Sequence, residues 1–226
     1  MRYLFVGDSM TVGSAGDFTW RYRMWQHLRE VGEPFAVVGP RDTLYDAAAD
    51  AAVSADYADP AFPRHARRHL AGWGEGWLHM VPQIGEVVRE HRPDVLLVSL
   101  GLIDLGFYSD AEHTAANVAR FIAEARAARP RMRMVLLPVI PNIRADLDPD
   151  FAGQCAELNE RTAKVVAELD SPDSPLLMAS RPAGYDILVD TYDGTHPNRT
   201  GEHKLAAAFA DAMHRAWGVG EPYRLG

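Results

Sequence analysis

The sequence has little cysteine and no long apolar run, and each absence removes a class of protein. Cys155 is the single cysteine in 226 residues, so neither an intramolecular disulfide nor a cysteine-based zinc cluster can form. No stretch approaches the roughly 20 apolar residues that a membrane span requires. Only four apolar residues in a row, at positions 3–6, lie near the start, whereas a secretory leader needs roughly 7–15. We therefore expect a cytoplasmic protein without a membrane span.

The chain also lacks a basic excess and a phosphate-binding loop. Lysine and arginine number 23 against 31 aspartate and glutamate residues, a formal net charge of −8, which argues against nucleic acid as a partner. Neither a Gly-x-Gly-x-x-Gly nor a Walker-type loop follows the first apolar segment, which disfavours a nucleotide or flavin binder. The histidines show no spacing typical of a metal site. We expect no metal and no organic cofactor.

Apolar segments bounded by turn residues alternate with amphipathic ones, a pattern typical of alternating strands and helices. The predicted strands cover residues 2–7, 34–38, 94–100, 132–138 and 176–179. The predicted helices cover residues 18–31, 77–91, 111–128, 150–169 and 200–217. Five strands in this alternation predict an α/β fold with a mostly parallel sheet covered on both faces, in one domain of residues 1–226. Residues 41–71 lack clear periodicity and are a possible lid or insertion.

The first chemical motif is Gly7-Asp8-Ser9, which directly follows the first predicted strand and precedes a helix. In a parallel sheet, ligands bind at the carboxyl ends of the strands, so the Ser9 hydroxyl is predicted to face the ligand crevice. Asp8 and Ser9 are also residue types that form turns and helix caps. This segment alone therefore leaves both interpretations open.

The second motif is Asp193-Gly194-Thr195-His196, just before the last predicted helix. A serine hydroxyl becomes a strong nucleophile when an imidazole takes its proton, and a carboxylate fixes the tautomer of that imidazole. Asp193 and His196 can supply both groups from one loop. A solvated loop histidine is the alternative, but a doubly wound sheet brings this loop and Ser9 to the same edge.

Together the two motifs resemble the SGNH hydrolases, also called GDSL esterases and lipases, in which they occur in this order near the two ends of the chain. The resemblance spans residues 7–196 and implies a flavodoxin-like three-layer α/β/α sandwich. It implies Ser9 as nucleophile and His196, oriented by Asp193, as its base. The implied activity is hydrolysis of a small ester or thioester through an acyl-enzyme, or acyl transfer to another acceptor.

The resemblance also implies an oxyanion hole, the set of donors that stabilises the tetrahedral intermediate. Its donors are expected to be the backbone N–H groups of Ser9 and Gly72, with Gly74 and Gly76 as competitors of Gly72. Trp73, beside Gly72, is a candidate wall of the substrate pocket, and a packing role is the alternative.

The family has a third donor to the oxyanion, an asparagine side chain, and here this chain departs from it. The family usually has Gly-x-Asn-Asp after its third strand, whereas this chain has Ile103 in place of the asparagine, and an isoleucine side chain cannot donate a hydrogen bond. Three explanations are open: a slower enzyme with two donors, a substitute donor such as Asn142, or a non-catalytic binding module. The presence of Ser9, Asp193 and His196 together favours catalysis.

Overall fold

The computed structural model describes residues 1–32 and 34–224. The strands are β1 (Arg2–Gly7), β2 (Ala36–Val37), β3 (Leu44–Asp46), β4 (Ala51–Ser54), β5 (Leu70–Ala71), β6 (Val95–Ser99), β7 (Arg133–Leu136) and β8 (Leu176–Met178). The helices are α1 (Ser9–Val12), α2 (Trp20–Val31), α3 (Trp77–His91), α4 (Ala111–Ala128), α5 (Pro149–Leu169), α6 (Ile187–Asp190) and α7 (Arg199–Trp217). Within the described residues, no helix is long and apolar enough to cross a membrane.

The central sheet is parallel and follows the order β2-β1-β6-β7-β8. Counting only these five strands along the chain, the order is 2-1-3-4-5, which is that of flavodoxin-like folds. The short strand β5 also pairs with β1, next to its carboxyl end. The predicted parallel α/β fold is therefore confirmed, and β1 lies at the point where the strand order reverses, where such sheets bind their ligands.

Both faces of the sheet are buried because the strands are almost continuously apolar. Along β1, Tyr3 and Phe5 belong to the core on one face, whereas Leu4 and Val6 belong to the core on the other. This alternation follows from the two-residue period of a strand. A strand buried on both faces reads in the sequence as an unbroken apolar run.

Helices α2 and α7 cover one face and contact each other, and α3 and α4 do the same on the other face. On the first face, Trp20 of α2 stacks on Phe209 of α7 with ring centroids 4.8 Å apart. On the second, Trp77 of α3 meets Phe121 of α4 edge to face at 5.2 Å. The result is the predicted three-layer sandwich.

The segment predicted as a possible lid is attached to the body of the protein. Strands β3 and β4 form an antiparallel hairpin. In that hairpin, Tyr45 N donates to Gly13 O at 2.9 Å and Ala15 N donates to Tyr45 O at 2.8 Å. Arg41 and His69 exchange backbone hydrogen bonds of 3.0 and 2.9 Å at the base of the segment. The segment thus forms a wall over the residues that follow Ser9, and its role as a lid stays a prediction.

A fully buried arginine joins this segment to the turn behind Ser9. Arg21 Nε donates to Thr11 O at 2.7 Å and Nη2 donates to Val12 O at 2.9 Å. Arg21 Nη1 donates to Arg67 O at 2.8 Å, and Nη2 also reaches the Tyr57 hydroxyl at 3.1 Å. Because the acceptors at Thr11, Val12 and Tyr57 are buried with it, the guanidinium satisfies polar groups that would otherwise lose their hydrogen bonds on folding.

Replacing Arg21 by methionine is expected to lower the free energy of unfolding by about 3 kcal/mol or more. The side chain keeps its bulk but leaves several buried carbonyl oxygens without donors, each at a cost of about 1–3 kcal/mol. Urea unfolding measures the change. Arg29→Met, on the exposed surface of the same helix, is the control and is expected to cost less than about 1 kcal/mol. Equal effects of the two variants would contradict the role of Arg21.

Candidate active site

The position of Ser9 is set by an abrupt change from strand to helix. Strand β1 ends at Gly7, and α1 begins at Ser9. Asp8 caps this helix, since its Oδ1 accepts a hydrogen bond from Met10 N at 3.0 Å. A Cβ atom on Gly7 would overlap the side chain of Thr11, so only glycine permits this turn. Ser9 therefore lies at the carboxyl end of the strand.

The loop between α6 and α7 holds a carboxylate and an imidazole in one fixed arrangement. Asp193 Oδ1 accepts the backbone N–H groups of Thr195 at 2.9 Å and His196 at 2.7 Å. Asp193 Oδ2 is then free to accept His196 Nδ1 at 2.6 Å. Burial raises the pKa of Asp193, but the hydrogen bonds from His196 and the backbone outweigh it and hold that pKa below its usual value. The carboxylate is therefore ionised at neutral pH.

The other ring nitrogen of this imidazole faces the serine. His196 Nε2 lies 2.9 Å from Ser9 Oγ. In the neutral imidazole, a proton on Nδ1 facing the Asp193 carboxylate leaves a lone pair on Nε2, which accepts the hydroxyl proton. The fold thus brings Ser9, His196 and Asp193 into one chain of hydrogen bonds, with Ser9 and His196 separated by 187 positions in the sequence.

Aromatic rings pack against the imidazole. Trp73 is stacked on His196 with ring centroids 4.8 Å apart. Tyr192 is stacked on the same imidazole with ring centroids 5.8 Å apart. Tyr45 from the hairpin stacks in turn on Trp73 at 3.9 Å. The sequence pointed to Trp73 through its neighbouring glycines, and Tyr192 could have been found as the neighbour of Asp193. Nothing in the sequence around Tyr45 points to this contact.

A cavity of about 330 Å³ opens beside the serine and the histidine. Its wall is mainly apolar and includes Leu102, Ile103, Phe107 and Phe151, and its polar side chains include Asn142, Arg144 and Thr195. The predicted substrate-binding residues Trp73, Ile103 and Asn142 all line this cavity. Within residues 1–32 and 34–224, no group of three or more His, Cys, Asp or Glu side chains is arranged to hold a metal ion.

Comparison with known proteins places the chain in a family. A family model described as GDSL-like Lipase/Acylhydrolase matches residues 5–204. The chain belongs to this family. Such membership supports hydrolase activity on esters. No curated protein matches the sequence of this GDSL-like protein.

Solved structures similar to this GDSL-like protein have the same fold at low sequence identity. A carbohydrate esterase of family 3 from Talaromyces cellulolyticus has a TM-score of 0.78 and 21% identity, covering 95% of this chain and 97% of its own. A mutant acetyl esterase with an acetate ion has a TM-score of 0.77 and 20% identity, with coverages of 95% and 97%. A lipase/acylhydrolase from Enterococcus faecalis has a TM-score of 0.68 and 16% identity, covering 100% of both chains.

In the structure of this GDSL-like protein, the backbone N–H of Gly72 does not have the role in the oxyanion hole that was expected for it. The Gly72 N–H donates to Gly7 O at 3.1 Å, extending the pairing of β5 with β1, so it is not available to an oxyanion. Gly74 instead lines the cavity with Ser9. It is the third residue of a turn in which Glu75 N donates to Gly72 O at 3.2 Å, and its φ of 72° favours glycine. Among the described residues, no acceptor takes the N–H of Gly74.

Two buried carboxyl groups of this GDSL-like protein lie close enough to interact, and one of them, Asp8, directly precedes Ser9. Asp104 caps α3 by accepting Trp77 N at 2.9 Å and Leu78 N at 3.3 Å, and burial raises its pKa. Burial also raises the pKa of Asp8 to about 7, against the hydrogen bond from Met10, and the Asp104 carboxyl adds to the rise. Both groups thus hold backbone at the site while resisting ionisation.

Asp8→Asn is expected to change how stability depends on pH. The folded protein keeps a proton on Asp8 that the unfolded chain loses near its ordinary pKa of about 4, so the contribution of Asp8 to stability falls as pH rises from about 4 to about 7. An asparagine keeps the oxygen that accepts Met10 N and has no charge to bury. The melting temperature of Asp8→Asn should therefore exceed that of wild type at pH 8 and approach it at pH 4.

Thermal unfolding between pH 4 and pH 8 makes this comparison, with Asp173→Asn at an exposed position as the control. The control is expected to follow wild type across the range. A melting temperature of Asp8→Asn below that of wild type at every pH would contradict the assignment of a buried, destabilising charge to Asp8.

Proposed function

We propose that this chain is a serine-dependent ester hydrolase that forms an acyl-enzyme on Ser9. The observation that carries the proposal is the unbroken set of hydrogen bonds from Ser9 Oγ to His196 Nε2 and from His196 Nδ1 to Asp193. Family membership and esterase structural neighbours support ester chemistry. The arrangement matches the roles of nucleophile, base and orienting carboxylate.

The reaction has two halves that use the same groups. Ser9 Oγ attacks the carbonyl carbon of the ester while His196 Nε2 takes the hydroxyl proton, and a tetrahedral oxyanion forms. When the carbon–oxygen bond to the alcohol breaks, His196 gives that proton to the leaving oxygen. Water then attacks the acyl-enzyme, loses a proton to His196, and releases the carboxylic acid as Ser9 recovers its proton. Asp193 stays ionised and stabilises the imidazolium in both halves.

The oxyanion is proposed to bind the N–H groups of Ser9 and Gly74. Ser9 is the first residue of α1, so its N–H has no partner within that helix. Gly74 lines the same cavity. Asn142 also lines it, and its Nδ2 donates to Thr195 Oγ1 at 3.2 Å, which leaves the second hydrogen of the amide for a substrate. Asn142 is accordingly the candidate for a third donor.

The acyl group is proposed to occupy the cavity beside Ser9. Its wall carries Leu102, Phe107 and Phe151, so an apolar group gains by leaving water there. A volume of about 330 Å³ is at the small end of the range for sites that enclose drug-sized ligands. The cavity therefore favours a short or medium apolar acyl group.

Ser9→Ala is expected to lose both labelling by a fluorophosphonate and hydrolysis of a short-chain aryl ester, the latter by about 10³-fold or more. Intact-protein mass and product release measure the two effects. Ser14→Ala is the matched control, since its hydroxyl contacts Tyr192 and is not aimed at His196, and it should retain both properties. Folded wild type that neither labels nor hydrolyses would instead support a non-catalytic binding module.

Ile103→Asn is expected to raise turnover of the same ester by about tenfold or more. Ile103 lines the cavity with Ser9, and a well-placed side-chain donor to the oxyanion is worth roughly 10²–10³ in turnover in serine hydrolases. Ile103→Leu, which adds no donor, should leave turnover at or below the wild-type value. Unchanged turnover of a folded Ile103→Asn protein would contradict the missing-donor explanation. The same change in an Asn142→Ala background should give a larger gain if Asn142 already serves as a donor.

A further inference from the structure

Two aromatic rings lie nearly parallel to the imidazole of His196. The plane of the Trp73 indole is 15° from that of the imidazole, and the plane of the Tyr192 phenol is 18° from it. Trp73 lines the cavity beside Ser9, but Tyr192 is not among the described residues that line it. A role in binding the acyl group therefore does not account for the position of Tyr192 on the base.

Tyr192 is fixed in place by its backbone and by its hydroxyl. Its N–H donates to His196 O at 3.1 Å, beside a bridge between Thr191 and Pro197. At the far end of the ring, the hydroxyl lies 3.0 Å from Ser14 Oγ. Burial raises the pKa of Tyr192 to about 12, so the phenol is neutral at the pH of catalysis. An uncharged ring is thus held against the imidazole.

The imidazole needs stabilisation when it becomes charged. Its side chain is only 15% exposed, and a cation that leaves water loses its hydration. At the edge of the ring, Nδ1 is bonded to Asp193 Oδ2 and Nε2 faces Ser9 Oγ. Both nitrogens are therefore occupied, and further stabilisation of a charge spread over the ring has to come from groups that cover its faces.

The two stacked rings are suited to that role. The face of an aromatic ring is the negative part of its quadrupole, and it attracts a cation that lies within about 6 Å of the ring centroid. The centroid distances of Trp73 and Tyr192 from His196, 4.8 and 5.8 Å, are both within this limit. Because this attraction acts on the positive charge, it favours the imidazolium over the neutral imidazole.

Charged side chains also act on the imidazole. Asp193 favours its charged form through the hydrogen bond to Nδ1. Burial raises the pKa of Asp17, in the loop after α1, and the nearby charge of His196 opposes that rise. Arg144 lines the same cavity as His196 and disfavours a positive charge there. These three groups stay in place when only the electron density of the Tyr192 ring is changed.

We propose that Trp73 and Tyr192 are positioning residues of the base that also stabilise its charge, because the negative faces of their rings favour the imidazolium form of His196. The proposal rests on the proposed function, since the imidazolium forms when His196 takes the proton of Ser9. Both halves of the reaction pass through the imidazolium, so the rings act in both. Tyr192 thus contributes to turnover without lining the cavity of the acyl group.

The test changes the electron density of the ring at position 192 and keeps its shape. Tyr192→Phe is compared with proteins that carry mono-, di- and trifluorinated phenylalanine at this position, since fluorine withdraws charge from the ring face. Tyr192 is 49% exposed, so these replacements are expected to leave the fold intact. NMR titration of His196 is the readout, with its signal assigned among the nine histidines by its loss in His196→Gln.

The titration midpoint of Tyr192→Phe should lie close to that of wild type, because the ring is kept. Each added fluorine should lower the midpoint toward that of Tyr192→Leu, which is expected about 0.5 pH unit below wild type. Trp73→Leu should lower it by a similar or larger amount, since indole gives the strongest attraction of this kind. Leu188→Ala, at an exposed position of α6, is the control and should leave the midpoint unchanged.

Hydrolysis of the short-chain aryl ester is measured on the same series. The midpoint of the acid limb of kcat/KM should fall together with the NMR midpoint. At the plateau, kcat of Tyr192→Leu should be about two- to fivefold below wild type, because the imidazolium of the transition state loses one ring face. KM should stay the same, since Tyr192 does not line the cavity.

A midpoint that does not fall with added fluorine would overturn the proposal, even if Tyr192→Leu is slow, because a loss of rate alone indicates a packing role. The titration needs no turnover, which separates this result from failure of the proposed function. Wild type that fails to label with a fluorophosphonate would overturn the serine mechanism and the part of the rings in it. Labelling together with an unmoved midpoint would overturn the role of the rings alone.

Discussion

Arg21 joins the segment behind the nucleophile to residues 41–71, the segment that carries the β3–β4 hairpin. Its fully buried guanidinium donates to Thr11 O and Val12 O on one side, and to Arg67 O and the Tyr57 hydroxyl on the other. Burying a cation is costly unless its donors find acceptors, and all three nitrogens of Arg21 donate hydrogen bonds. Here the partners that use them come from separate parts of the chain. The positions of the nucleophile and of residues 41–71 are therefore fixed relative to each other.

Trp73 contacts residues from two other parts of the site. It lies between Tyr45 of the hairpin and His196, the proposed base, and it lines the cavity beside Ser9. Aromatic stacking restricts the imidazole to one plane, while Asp193 fixes which nitrogen faces Ser9. Packing on the ring and charge at its edge thus act together, so the base is held in place before a substrate binds.

The sequence determined the fold and the identity of the main site residues. Helices α3 and α4 occupy the predicted ranges 77–91 and 111–128 residue for residue, because their apolar positions recur with the helical period and turn residues bound them. Ser9 and the loop that carries His196 were found because each motif is local: a strand end followed by a turn, and a carboxylate three residues before an imidazole. The catalytic roles of these residues stay a proposal.

The tertiary structure decided which neighbours those residues have, since that depends on pairings between distant segments. Gly72 was expected to donate to the oxyanion, but the pairing of β5 with β1 commits its N–H to Gly7 and leaves Gly74 facing the cavity. Strand β5 has only two residues, too few to produce a period in the sequence. The contact of Tyr45 with Trp73 likewise depends on where the hairpin attaches to the rest of the fold. The sequence pattern determines which chemical groups the site contains. The direction in which a single N–H group or ring points depends on the strand or loop that packs beside it.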